Sequence, residues 1–289
     1  IVKIDGVSTE GMVLDRAVSM MKGDPGTQVT LTIERRYPGG SFDITIVRDI
    51  IDAPSTRAYM SDPATGVGYI ELRTFSQKAG NDIASAVKNL LGQGMRGLIL
   101  DLRYNGGGLV TQAVEVSSQF IPPGPVMHVQ GRDGTKKTLN TQGTKITDIP
   151  IVVLVNEYTA SASEIVSGAM QDTKVATIVG MPTFGKGLVQ TLYPLSDGSG
   201  LAVTTQIYLT AGGRAIAPDT PIQPDVEVPP LEPEELEKLM EAKSKASPQG
   251  AVTAEDLLRV DADLDPQFRK AVEIINEQIE QAAKARTAA

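Results

Sequence analysis

From residue 67 onward the chain alternates short apolar runs with longer amphipathic ones, and this alternation limits the fold more than any other feature. Within GLIL (97–100) and IVVLV (151–155) no residue is polar. A strand built from either run must be covered on both faces, the condition of a strand inside a parallel sheet rather than of one facing water. VGYIELRTF, KVATIVG, GLVQTLYPL and LAVTTQIYL read as further strands. AGNDIASAVKNLLGQG places Ile83, Val87, Leu90 and Leu91 on one helical face, and LVTQAVEVSSQFI and TASASEIVSGAMQD read as two more helices. Strands separated by helices of this length predict an α/β core with a largely parallel sheet flanked by helices. Chemistry is then expected where strands give way to loops at their carboxyl ends.

The flanks read differently. Residues 1–48 pattern as strand, turn, helix, strand, strand, with Met12, Ala17, Met20 and Met21 along one helical side and a YPGG turn between the last two strands. Residues 49–66 have the composition of a connector. Beyond 230 the chain turns Pro- and Glu-rich, then polar through SKASPQG, a stretch expected to be mobile, and it finishes in an amphipathic helix. IVKIDG begins directly in strand-like alternation without an initiator Met, so a piece of a longer precursor is expected.

Composition removes several chemistries. There is no cysteine, which excludes thiol nucleophiles, disulfides and thiolate metal sites. The one histidine, His128, lies in an alternating stretch that reads as a hairpin arm, so a histidine-rich metal centre is excluded and a Ser-His-Asp triad would have to use that residue. The net charge of -8 is spread along the chain with no Lys/Arg-rich run, which argues against a nucleic-acid surface. No apolar run reaches the ~18 residues of a membrane span.

Three loops are left as candidates. LDLRYNGGG (100–108) ends a buried strand, and its glycines expose backbone N–H groups that suit an oxyanion or phosphate, or serve merely as a flexible turn. In TASASEI, Ser161 with Glu164 three residues on is a capping box. The same position puts the Ser161 hydroxyl at a helix terminus that stabilises developing negative charge, so it suits a nucleophile equally well. GMPTFGKG (180–187) matches G-x-x-x-x-G-K, yet Gly187 replaces the required Ser or Thr and the next residues alternate like a strand, so no nucleotide is expected. Lys186 has another use, as base for Ser161 in a Ser-Lys pair, with Gln190 orienting its amine.

SASEI, followed by Lys186 in TFGKG and by Gln190, resembles the carboxyl-terminal processing (tail-specific) serine proteases. LDLRYNGGG is similar to their Asp-Leu-Arg-x-Asn-x-Gly-Gly loop, with Gly106 where Pro or Ser is usual, and GRAIAPDTPIQPDVEV resembles their closing segment. Residues 1–48 resemble the later half of the PDZ domain these enzymes carry. The resemblance implies a partial PDZ domain (1–48), a connector (49–66), a Ser-Lys protease core (67–230) and a Pro/Glu-rich segment with a C-terminal helix (231–289). It implies Ser161 as nucleophile, Lys186 as general base, Gln190 as its orienting partner, and the N–H groups of Gly107 and Ala162 as oxyanion hole, with no metal and no cofactor. Ser163 is not the nucleophile. Expected partners are protein or peptide substrates with apolar carboxyl termini, with no nucleic acid or nucleotide and with homo-oligomerisation left open. The family's usual site of action implies an extracytoplasmic location, in a bacterial periplasm or cell envelope. The alternative is a non-catalytic PDZ-type scaffold that binds peptides.

Overall fold

The computed structural model describes residues 1–35, 39–50, 54–246 and 264–288. The chain divides into two compact units, one of residues 1–53 with 231–258 and one of residues 54–230 with 259–289.

In the first unit, β1 (Lys3–Ile4), β2 (Val7–Ser8), β3 (Gln28–Arg35) and β4 (Gly40–Val47) form an antiparallel sheet in the order β2-β1-β3-β4, with helix α1 (Leu14–Met21) against it. Ile4, Val29 and Leu31 form its small core, and Ala17, Met20 and Met21 of α1 pack on them. Met12, expected on the same helical side, precedes the helix, because α1 starts only at Leu14. Tyr37 and Pro38 of the expected YPGG turn lie outside the described residues. The Pro- and Glu-rich segment contributes helix α5 (Pro233–Ala246), and the stretch expected to be mobile falls mostly outside the described residues.

The second unit is built on six strands: β5 (Thr56–Asp62), β6 (Val67–Leu72), β7 (Gly97–Asp101), β10 (Ile151–Val155), β11 (Ala176–Gly180) and β14 (Val226–Glu227), in the order β14-β11-β10-β7-β6-β5. All pairings are parallel except β5 with β6. The apolar runs behave as their patterning requires. Leu98, Leu100, Val153 and Val155 face one core with α2 (Ala79–Gly92), α3 (Val110–Ser118) and α4 (Ala162–Asp172). Ile99, Val152 and Leu154 face the other, which the C-terminal helix α6 (Pro266–Ala288) covers with Phe268, Ala271, Ile275 and Ile279. These four residues make one stripe at helical spacing. Gly97 lets α6 approach, since a Cβ there would stand 2.8 Å from side-chain atoms of Ile275 and Ile279.

Residues 56–62, expected within a connector, form β5 instead. Pro, Asp and Gly on both sides obscure a seven-residue strand whose partner lies just across the turn at 63–66. A second, antiparallel sheet joins β12 (Leu188–Pro194), β13 (Gly200–Thr210), β8 (Pro125–Gly131) and β9 (Lys136–Asn140) in that order. His128 sits in the β8–β9 hairpin, with Nδ1 at 2.8 Å from Thr138 Oγ1 and Nε2 at 3.2 Å from the Ala211 carbonyl. No helix among the described residues is long and apolar enough to cross a membrane.

Candidate active site

Strand β10 lies between β7 and β11 and runs parallel to both, so the loops leaving the carboxyl ends of these three strands emerge side by side on one edge of the sheet. They are the three loops singled out above.

The glycine loop after β7 is organised by Asn105, which is fully buried. Its side-chain N–H donates to the Leu72 carbonyl at 2.7 Å and its Oδ1 accepts from Gly107 N–H at 3.0 Å. Its own carbonyl accepts from Ala160 N–H at 3.1 Å and from the Ser163 hydroxyl at 2.8 Å, which ties the loop to the start of α4. Gly107 has φ +102°, and a Cβ there would stand 2.8 Å from the Ala160 carbonyl, 2.9 Å from Ser161 Cβ and 3.0 Å from Ala162 N. Gly107, Ser161 and Ala162 are therefore in direct contact. Ala162 N–H has no hydrogen-bond partner among the described residues, whereas Gly107 N–H is engaged by Asn105.

Ser161 occupies the N-cap of α4 with φ 58° and ψ -114°. A non-glycine residue at positive φ costs on the order of 1–3 kcal/mol and persists only where its surroundings impose it. The surroundings here are Glu164. The capping-box pairing runs in both directions, but only the carboxylate arm meets strict hydrogen-bond geometry, with Ser161 N–H donating to Glu164 Oε2 at 2.8 Å. Glu164 is fully buried and accepts three further bonds: Lys186 N–H at 2.8 Å on the same Oε2, and the Thr183 hydroxyl at 2.5 Å and Gly185 N–H at 2.7 Å on Oε1. One carboxylate thus binds the backbones of Ser161 and Lys186 through a single oxygen, and their nitrogens lie no farther apart than twice that distance. Phe184 N–H adds a bond to the Thr159 carbonyl at 3.0 Å.

The glycines around Lys186 answer to packing rather than to a phosphate. A Cβ on Gly185 would stand 2.3 Å from the Ala217 carbonyl and one on Gly187 would stand 1.7 Å from the Ile216 carbonyl. Strand β12 follows them, where a phosphate-binding loop requires a helix. The Lys186 side chain is exposed and shares no hydrogen bond with Ser161 in this conformation. Gln190 is exposed as well and has no bond to Lys186. It follows a register shift at Val189/Gln190, the kind of bulge that re-aims a side chain. The Ser161 and Lys186 backbones meet on Glu164, Gly107 N–H is taken by Asn105, and no hydrogen bond joins the side chains of Ser161, Lys186 and Gln190.

A second buried network braces the same loop. Arg103 meets Asp101 at 2.7 Å and reaches α6 through Asp265 at 2.8 Å and Gln267 Oε1 at 2.9 Å. Tyr69 OH donates to Asp101 at 2.8 Å. Burial works against the Arg103 charge, yet Asp101 and Asp265 together hold its pKa above the ordinary value; burial first, and then Asp101, pushes the Tyr69 phenol up. Arg103 and Asn105 belong to the Asp-Leu-Arg-x-Asn-x-Gly-Gly pattern, but their bracing roles rest on long-range partners, Asp265 for the one and Leu72 and Ala160 for the other, that the pattern does not name. That of Glu164 was visible in part, as the third residue of the capping box. Among the described residues no cluster of His, Asp or Glu could hold a metal ion.

The family model described as peptidase family S41 matches residues 66–228. A carboxyl-terminal-processing protease of Synechocystis sp. is 42% identical over 212 residues, covering 73% of this chain and 50% of its own length. One of Bartonella bacilliformis is 39% identical over 234 residues, covering 78% and 52%. A solved structure titled photosystem II D1 C-terminal processing protease is similar with a TM-score of 0.59 at 32% identity, over 83% of this chain and 66% of its own. The chain spans about half the length of these curated relatives. With more than half of its residues inside the matched span and the motif-bearing loops together at one sheet edge, the chain belongs to peptidase family S41.

Proposed function

We propose that the chain is the core of a serine endopeptidase that cleaves protein substrates near their carboxyl termini with a Ser161–Lys186 dyad. The observation that carries this reading is the shared Glu164 oxygen, which tethers a strained Ser161 to the Lys186 loop. Ser161 Oγ attacks the scissile carbonyl carbon while its proton passes to Lys186 Nζ, which must be neutral to take it. The carbonyl oxygen becomes an oxyanion that accepts from Ala162 N–H and from Gly107 N–H once the latter leaves Asn105, a contribution of a few kcal/mol to the transition state. Collapse breaks the C–N bond, the leaving amine takes the proton from Lys186, and water repeats the sequence to release the acyl group. Turnover requires Lys186 to swing from solvent to Ser161, and Gln190 to reach its amine. The Lys186 loop is anchored by Glu164, and Gln190 stands on strand β12, which follows it.

Residues 1–48 are read as the later half of a PDZ domain, whose mode is to add a substrate tail as a strand. Their antiparallel sheet and single helix are compatible with that. Substrates with apolar carboxyl termini and an extracytoplasmic location complete the reading. The test is cleavage of an unstructured protein with an apolar carboxyl terminus by the wild type and by Ser161→Ala; equal turnover by the variant defeats the assignment.

A further inference from the structure

Each of the three loops at the candidate site projects one aromatic ring into solvent: Tyr104 is 73% exposed, Tyr158 57% and Phe184 57%. Tyr193 is the other exposed ring among the described residues of this unit. The exposed aromatic surface is therefore concentrated at this edge of the sheet.

The two tyrosines are held there by design of the backbone. Tyr104 and Tyr158 stack with ring centroids 5.4 Å apart and planes at 20°. Both of their N–H groups donate to one atom, Oδ1 of the buried Asn156, at 3.0 and 3.2 Å. Tyr104 has φ 59°, a conformation that is unfavourable for a bulky side chain. Neither hydroxyl has a hydrogen-bond partner among the described residues, so what the arrangement offers is ring surface. Core packing does not account for it, since both rings face water.

We propose that the Tyr104–Tyr158 stack is a subsite for an apolar or aromatic side chain of the polypeptide being cleaved, within about three residues of the scissile bond. The inference rests on the peptidase reading above. The reach follows from the chain: Tyr158 precedes Ser161 by three residues and Tyr104 precedes Gly107 by three, a span of at most ~11 Å, which three residues of extended substrate also cover. The occupant follows from continuity with the site and from chemistry, because neutral ring faces and edges favour apolar and planar groups over carboxylates.

The test uses a set of otherwise polar peptides in which one Phe replaces Ser at successive positions up to three residues either side of the cleaved bond. For the wild type, kcat/KM is expected to favour Phe at one of these positions by about tenfold, mainly through KM. In Tyr104→Ala/Tyr158→Ala that ratio should fall to near one, and Tyr104→Phe/Tyr158→Phe should restore it. A ratio that survives the double alanine variant overturns the proposal, and so does tyrosine-dependent self-association in sedimentation without a change in selectivity. Peptide affinity for the Ser161→Ala protein separates the two readings. Tyrosine-dependent binding with no cleavage by the wild type sinks the peptidase assignment and keeps the subsite, while cleavage without tyrosine-dependent selectivity sinks the subsite alone.

Discussion

Glu164 is fully buried and accepts two hydrogen bonds on each carboxylate oxygen, three from backbone N–H groups and one from the Thr183 hydroxyl. Gln has the same shape but must turn an NH2 toward one of these pairs; the Thr183 hydroxyl can rotate to accept from it and a backbone N–H cannot, so at least one buried donor is left unpaired at a cost of roughly 1–3 kcal/mol. Glu164→Gln is therefore expected to lower cleavage by at least a hundredfold and to reduce the denaturant midpoint; wild-type rates in this variant would show that the shared oxygen does not position the dyad. Gly107→Ala is expected to abolish activity, since its methyl would collide with Ser161 Cβ and the Ala160 carbonyl at a φ that L residues avoid. Ser163 serves structure, through its bond to Asn105. Ser163→Ala should keep activity within about tenfold of wild type and cost 0.5–1.5 kcal/mol in urea unfolding, about one net hydrogen bond. Ser161, Lys186 and Gly107 could be singled out in the sequence because each belongs to a motif with a chemical reason for its residue types. Asn156 could not, since an asparagine in a loop looks the same whether it organises that loop or faces water, and Asn105, although part of the glycine-loop pattern, shows its organising role only through its partners.

At the scale of elements, strands buried on both faces were the most legible part of the chain. Leu98 to Leu100 and Ile151 to Val155 have no polar position, and the structure supplies a core on each side of them. Strand β5 escaped because an edge strand needs only one good face. The division of strands between two sheets escaped as well: β12 and β13 alternate like any strand, and only long-range pairing with β8 separates them from the parallel sheet. The C-terminal helix reads as an amphipathic tail, yet its stripe completes the second core. Phe268 packs edge-to-face on Tyr69 with centroids 5.6 Å apart. Phe268→Ala is expected to destabilise the protein by about 3–5 kcal/mol, measured by denaturant unfolding. A loss below ~1 kcal/mol would mean that α6 does not close the sheet in solution.

In the molecule as a whole, tethered loops carry side chains that still have to meet. Glu164, Asn105 and the Arg103 network fix the three loops, while Lys186 and Gln190 stand in solvent. On the proposed reading Lys186 nevertheless serves as the proton acceptor of Ser161. If it does, its amine must be neutral when it takes the proton. Arginine keeps its proton and cannot do this. The most direct measurement is the rate of cleavage of an unstructured protein with an apolar carboxyl terminus by the wild type, Lys186→Ala and Lys186→Arg. Cleavage is expected from the wild type and none above background from either variant, with unfolding transitions unchanged. Appreciable cleavage by Lys186→Arg would contradict that reading, because a permanently protonated side chain cannot be the base.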